Sequence, residues 1–186
     1  MTGAWKFAAC ALLPLALICA RPAAAEQTFE DGRRAYDLGE YAAAKTIWAA
    51  LAQAGDARSA ASLAYLLRVG KGVPRDANAA AHWYFQAARR GDATAQSALC
   101  AMHLAGEGVH RDYQTAFFWC ELSIDGGETS AVAFRERALR RLTTAQRDMA
   151  RARIAEWRNV ANDALCCGSA VEPRDQYANA PLAQEQ

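Results

Sequence analysis

The sequence contains little lysine and no strong excess of either charge. Only three of its 21 basic residues are lysines, and the formal net charge of the 186-residue chain is +1. This balance argues against a uniformly basic nucleic-acid binder and against a strongly acidic tail. Alanine is abundant instead, with 46 residues. Together with 53% hydrophobic and 22% charged residues, it favours one mostly helical domain with a sizeable core.

The sequence also lacks the motifs of common catalytic sites. It has no Gly-x-Ser-x-Gly and no Ser-x-x-Lys, and its glycine-rich turns lack the lysine-serine pair of a phosphate loop. The three histidines, His82, His103 and His110, form no spaced pair with a cysteine or a carboxylate. We therefore expect no catalytic residue, no metal site and no cofactor.

Residues 1–25 are typical of a secretory signal peptide. Lys6 supplies the positive start, and an apolar run follows from Phe7 to Ala20, which is short for a membrane span. The small residues Ala23-Ala24-Ala25 predict cleavage before Glu26, although an uncleaved amino-terminal anchor is the alternative. Cleavage predicts a protein of the bacterial periplasm or exterior, an oxidising compartment, with no stable membrane insertion afterwards.

The chain repeats itself every 36 residues. Gly55-Asp56, Gly91-Asp92 and Gly127-Glu128 are separated by this interval, and Gly70-Lys71-Gly72-Val73 maps onto Gly106-Glu107-Gly108-Val109. The same offset relates the pairs Asp76 and Asp112, Ala80 and Ala116, and Trp83 and Trp119.

Each repeat is predicted to form two helices, because apolar residues recur at three- and four-residue spacing over Ser59–Val69 and Ala79–Arg89. The Gly-x-Gly-Val turn ends the first helix, since glycine accepts positive φ without penalty. Asp76 and Asp112 are expected to cap the second helices.

The pattern Leu-x-x-x-x-x-x-Gly-x-Gly-Val-x-x-Asp-x-x-x-Ala-x-x-Trp resembles the Sel1-like repeat, a relative of the tetratricopeptide repeat. Residues 63–91 and 99–127 carry it, whereas Thr28–Gly55 is closer to a plain tetratricopeptide unit. The resemblance implies an all-α fold, an α/α repeat solenoid with a right-handed superhelix, that binds partner proteins. The predicted segments are 1–25 (signal), 26–56 (first pair), 57–127 (two repeats), 128–160 (capping pair) and 161–186 (flexible tail).

The capping pair is predicted to be atypical, as terminal repeats are. Ser130–Leu142 should form its first helix and Thr144–Asn159 its second, with Thr143 as the cap. Met149, Ile154 and Trp157 should supply the apolar contacts of the second helix.

Four cysteines remain after the predicted cleavage. The resemblance places Cys100 and Cys120 on the two helices of one pair. They form either a disulfide or two small buried thiols. The neighbours Cys166 and Cys167 cannot easily pair with each other and are interpreted as intermolecular or tail-anchoring thiols.

Arginine and tyrosine are the residues most indicative of function. The first helices of such a solenoid line its concave face, and arginine forks and tyrosine rings suit an acidic partner segment. A solvated arginine-rich surface is the alternative. We therefore predict an exported, non-catalytic adaptor. A cysteine-containing envelope hydrolase of the β-lactamase type, or a structural capping module, are the other possibilities. The predicted groove residues are Arg33, Tyr36, Arg58, Tyr65, Arg68, Leu104, Arg137, Arg140 and Arg141.

Overall fold

The computed structural model describes residues 27–167. All regular secondary structure within these residues is helical, and each helix pair packs on the next, so the predicted all-α repeat solenoid is confirmed. The predicted signal peptide lies outside the described residues. The helices are α1 Phe29–Asp37, α2 Tyr41–Gln53, α3 Ala57–Val69, α4 Ala77–Arg89, α5 Ala93–Ala105, α6 Tyr113–Asp125, α7 Ala131–Leu139 and α8 Thr144–Cys167.

Aspartates fix the beginnings of four helices. The Asp76 carboxylate accepts a hydrogen bond from the Ala79 N–H at 2.9 Å, as predicted, and Asp112 caps α6 in the same way. Asp56 and Asp92 also cap helices, α3 and α5, a role that the sequence analysis did not assign to them. Each such cap stabilises its helix by about 1 kcal/mol because it satisfies a free backbone N–H.

The Gly-x-Gly turns end α3 and α5 and also bring successive units together. Gly70 and Gly106 end these helices with a φ of +73°, in the left-handed region where glycine is favoured. Gly108 serves a different purpose, because a Cβ at this position would overlap the carbonyl group of Ala77 in the preceding unit. The second glycine of the turn therefore permits close contact between units.

Alanines and aromatic side chains build the core at equivalent positions. Ala80 and Ala116 are fully buried, as predicted for sites where helices approach closely. Trp119 is 3% exposed, and Trp83 is partly buried against the core. The predicted role of these residues in packing is therefore confirmed.

The terminal pair departs from the repeat. α8 packs along α6, with the Trp157 ring centroid 5.6 Å from that of Phe118 and 5.8 Å from that of Trp119. Thr143 caps α8 as predicted, and its hydroxyl accepts from the Gln146 N–H at 3.3 Å.

Three details of the predicted terminal pair are wrong. α7 ends at Leu139 and not at Leu142, and α8 continues to Cys167, so 161–167 belong to a helix and not to a tail. Met149 is 59% exposed, because Ala150, Ile154 and Trp157 form the buried side of α8. Residues 168–186 lie outside the described residues.

Candidate functional site

An open pocket of about 460 Å³ lies between α1 and α3, and the start of α5 also contributes to its lining. We call it the aromatic pocket, because five aromatic side chains line it together with two arginines and two aspartates. These residues are Phe29, Tyr36, Trp48, Tyr65, Tyr84, Arg33, Arg58, Asp37 and Asp92. Ala61, Ser62 and Thr94 complete the lining.

Trp48 organises the floor of the aromatic pocket. Its ring stacks on Phe29 at 6.0 Å and lies 5.8 Å from Tyr36, measured between ring centroids. Its indole Nε1–H donates to the Phe29 carbonyl at 3.3 Å, which satisfies the polar group of a side chain that is only 4% exposed. Gly32 makes room for this ring, since a Cβ there would overlap Trp48.

Two arginines lie at the mouth of the aromatic pocket and are held loosely. Arg58 stacks over the Phe29 ring at 4.0 Å and forms an ion pair with Glu30 at 3.6 Å. Arg33 approaches Asp37 at 3.9 Å. Both arginine side chains are 62% exposed, and exposed ion pairs contribute little to stability. A carboxylate of a partner can therefore replace Glu30 or Asp37 at small cost.

The structure brings together four of the predicted groove residues, namely Arg33, Tyr36, Arg58 and Tyr65. Tyr65 is 40% exposed, so its ring is accessible at this surface. The tyrosine and arginine side chains therefore form one site, with apolar and charged surfaces side by side.

Arg68 stays out of the buried core, as predicted, but it is more constrained than Arg33 and Arg58 and does not line the aromatic pocket. Its guanidinium is 3.7 Å from the Glu107 carboxylate, and the two side chains are only 30% and 28% exposed. Burial raises the pKa of Tyr84, and the adjacent Arg68 opposes this shift. The half-buried Arg68 thus joins α3 and α4 to the turn that follows α5.

The remaining predicted groove residues lie outside the aromatic pocket. Arg137 is exposed on α7, and Arg140 and Arg141 are exposed on the connection to α8. Leu104 is 4% exposed and belongs to the core. Phe29, Trp48 and Tyr84 line the aromatic pocket but were not predicted as site residues. Trp48 and Tyr84 are 36 residues apart and directly follow the aligned pair Ile47 and Trp83. Aligning the next residue of the repeat would therefore have shown that they are equivalent.

The middle residue of each Gly-x-Gly turn contacts the preceding unit. Lys71 Nζ donates to the Tyr36 hydroxyl at 3.1 Å and lies 4.7 and 4.9 Å from the ring centroids of Tyr36 and Tyr41. The hydrogen bonds to these two tyrosines raise the pKa of Lys71. Glu107, the equivalent residue 36 positions later, binds Arg68 and, at 2.5 Å, Arg75. The lysine adds positive charge beside the aromatic pocket.

The structure joins Cys100 of α5 to Cys120 of α6 by a disulfide, with 5.3 Å between the Cα atoms. Both residues are fully buried, so neither presents a thiol to a substrate. The oxidation state of this pair in the cell stays a prediction. The prediction for the thiols of Cys166 and Cys167 concerns side chains outside the described part of the chain.

The histidines do not form a metal site in the part of the chain that the structure describes, where no three metal-ligating side chains cluster. His103 Nδ1 lies 3.2 Å from the His110 carbonyl oxygen, and burial lowers the pKa of His103.

No helix within residues 27–167 is both long enough and apolar enough to cross a membrane.

The stacked helix pairs form an α/α repeat solenoid, and the repeated sequence indicates the kind of repeat. The Sel1 repeat family matches residues 57–92 and 93–128, so the chain contains two Sel1 repeats. Sel1 repeats generally mediate protein–protein interactions. The two matched segments coincide with the helix pairs α3–α4 and α5–α6. The first segment begins at Ala57, the first residue of α3, and the second begins at Ala93, the first residue of α5.

Two solved structures are similar to this chain. One is c5321, a protective antigen of uropathogenic Escherichia coli strains with an SLR fold: 25% identity, a TM-score of 0.67, and coverage of 85% of this chain and 33% of that one. The other is a Sel1 repeat protein from Oxalobacter formigenes, with 25% identity, a TM-score of 0.51, and coverage of 56% and 45%. The chain thus spans a third to under half of these relatives. No curated protein matches it significantly in sequence.

Proposed function

We propose that this protein is an exported, non-catalytic adaptor of the bacterial envelope that binds a segment of a partner protein in the aromatic pocket. The observation that carries the proposal is the pairing of five aromatic rings with two exposed arginines in one cavity. Aromatic rings provide a large apolar contact area at low entropic cost, and arginine forks bind carboxylates with two parallel hydrogen bonds.

The expected ligand is an extended segment in which an apolar side chain is followed or preceded by acidic residues. The apolar side chain contacts Tyr65 and the floor made by Trp48, and the carboxylates replace Glu30 and Asp37 as partners of Arg58 and Arg33. Desolvated, charge-assisted hydrogen bonds of this kind contribute about 1.5 to 3 kcal/mol each.

Two features support export: the sequence of residues 1–25, and the cysteine pair that joins α5 to α6. Lys6 precedes an apolar run and a small-residue cleavage site, as in a secretory signal peptide. A disulfide such as Cys100–Cys120 persists in oxidising compartments and is rare in the cytosol. Both features favour the periplasm or the cell exterior.

Site-specific photocrosslinking in envelope preparations tests the location of the binding site. A photoreactive amino acid at Ser62, which lines the aromatic pocket, should form a defined adduct with the partner protein. The same group at Met149, 59% exposed on α8, is the matched control and should not form this adduct. An adduct of equal yield from both positions, or from Met149 alone, would contradict the proposed site.

A further inference from the structure

The two helices of the last pair, α7 and α8, pack against each other much less than the two helices of each other pair do. α7 has 9 residues where α5 has 13, and no Gly-x-Gly turn follows it. Gln114 Nε2 at the start of α6 donates to the Gln146 carbonyl of α8 at 3.3 Å, and Asp125 at the end of α6 pairs with Arg158 at 2.6 Å. α8 therefore lies along α6. Near its start, Arg147 donates to the Leu139 carbonyl at the end of α7 at 2.9 Å, and beyond this contact a space lies between α7 and α8.

That space is a cleft of about 490 Å³, which we call the terminal cleft. This volume lies within the range of about 300 to 1,000 Å³ found for ligand sites. Its lining combines apolar side chains with three arginines and one glutamate: Phe117, Leu139, Ile154, Arg135, Arg151, Arg158 and Glu121. It shares no residue with the aromatic pocket.

The three arginines differ in how firmly they are held. Arg135 pairs with Glu136 at 2.7 Å and with Glu121 at 3.8 Å, whereas Arg158 pairs with Asp125. Among the residues that the structure describes, Arg151 forms an ion pair only with the exposed Asp148, at 3.7 Å, and its side chain is 65% exposed. Arg151 is thus the arginine that an incoming carboxylate can engage at least cost.

The surroundings of the terminal cleft are also basic. Residues 130–158 contain eight arginines and three acidic residues. Arg137 and Arg140, next to the cleft residues Arg135 and Leu139 in sequence, are exposed. This excess favours an anionic ligand and increases its rate of association at low salt.

We propose that the terminal cleft is a second protein-binding site, which takes an acidic, amphipathic segment of a partner. Arg151 and Arg158 are seven residues apart on α8, about 10 Å along the helix, so they match several carboxylates of one segment better than a single small ion. Leu139, which is partly buried, contacts an apolar side chain of that segment, whereas Phe117 and Ile154 form the buried base of the cleft. The protein then holds two partners, one at each end of the described solenoid.

Binding of a synthetic peptide to the purified protein, followed by fluorescence anisotropy, tests this site. The probe is a labelled peptide of about 14 residues with leucine at helical i, i+3, i+4 and i+7 spacing and glutamate elsewhere. A peptide with lysine in place of glutamate is the charge control, and a peptide with serine in place of leucine is the apolar control. The acidic amphipathic peptide should bind more tightly than either control.

Two matched variants locate the bound peptide. Arg151→Glu should weaken binding about tenfold or more, since it replaces a charge-assisted contact by repulsion. Arg137→Glu makes the same change at an exposed position outside the cleft and should weaken binding less than about threefold, through long-range charge alone. Circular dichroism melting curves verify that both variants fold.

Three outcomes would overturn the proposal. The first is that the acidic amphipathic peptide does not bind, or binds no better than the two control peptides. The second is that Arg151→Glu and Arg137→Glu weaken binding equally, which would show a diffuse charge effect. The third is that Arg33→Glu, in the aromatic pocket, abolishes binding while Arg151→Glu does not, which would assign the peptide to the other site.

Discussion

At the scale of single residues, equivalent positions of the repeat carry different side chains that perform the same packing role. Trp48, Tyr84 and Cys120 follow one another at intervals of 36 residues, and all three are buried. Trp48 contacts Tyr36 across the first pair, and Cys120 is bonded to Cys100 across the third. Cys120 therefore occupies in the third unit the position that Trp48 occupies in the first, although the two residues contact their first helices at different positions.

Gly108 is the single residue at which we expect substitution to be most costly for the contact between units. Both Gly108→Ala and Gly127→Ala place a Cβ at positive φ, which costs about 1 to 2 kcal/mol. Only Gly108→Ala also forces overlap with Ala77, which adds about 1 to 3 kcal/mol, because nothing lies within 4 Å at Gly127. Urea denaturation should show the larger loss for Gly108→Ala, and equal losses would contradict the account.

The sequence allowed the helix caps and turns to be predicted more reliably than the orientations of long side chains. Asp76, Asp112 and Gly70 act locally, so their roles follow from a few neighbouring residues. Arg68 was assigned to the groove, but it pairs with Glu107, 39 residues away in sequence, and does not line the aromatic pocket. Such a contact depends on how two units stack, which the pattern within one unit does not specify.

At the scale of helices, the structure links the third pair by the Cys100–Cys120 disulfide, and aromatic packing holds the terminal helix. The disulfide joins α5 to α6 across a separation of 20 residues. α8 relies on Trp157, which packs against Phe118 and Trp119 of α6. The loss of either interaction should therefore weaken the carboxy-terminal half of the solenoid.

Reduction of Cys100–Cys120 should lower the free energy of unfolding by about 3 kcal/mol, since a loop of about 20 residues regains its freedom in the unfolded chain. The double variant Cys100→Ser, Cys120→Ser is the control, because a reducing agent should not change its stability further. The measurement is thermal denaturation with and without reductant. Free thiols at both positions in protein isolated from the periplasm would contradict the predicted oxidation state.

Trp157→Ala should destabilise the protein by about 3 to 5 kcal/mol, because it removes a large ring that is only 4% exposed. Met149→Ala on the same helix should change stability by less than about 0.5 kcal/mol, since Met149 is 59% exposed. Chemical denaturation of the two variants makes the comparison. A similar loss for both would show that α8 packs differently against α6.

At the scale of the whole molecule, the arrangement of helix pairs could be predicted, but which arginines line a pocket could not. The 36-residue period predicts the stacking because every unit repeats the same local pattern. Arg58 and Arg137 were assigned to one groove because both occur on first helices. Arg58 lines the aromatic pocket and Arg137 does not, and a separate cleft forms at α7 and α8, where the repeat pattern ends.

Export predicts a protein whose first residue is Glu26. Signal peptidase accepts small side chains before the cleaved bond, and Ala23-Ala24-Ala25 supplies them. Amino-terminal sequencing of the protein isolated from a cell envelope fraction tests this. An intact Met1 in cytoplasmic protein would contradict it.

Binding of a partner in the aromatic pocket is the central claim, and a comparison of neighbouring arginines tests it most directly. Arg33 lines the pocket, whereas Arg34 pairs with Asp31 at 3.5 Å, is 74% exposed and lies outside it. The measurement is the affinity of the crosslinked partner, once purified, for Arg33→Glu and Arg34→Glu. We predict that Arg33→Glu weakens binding about tenfold or more and that Arg34→Glu leaves it within about threefold. Equal affinity of the two folded variants for the partner would contradict the claim.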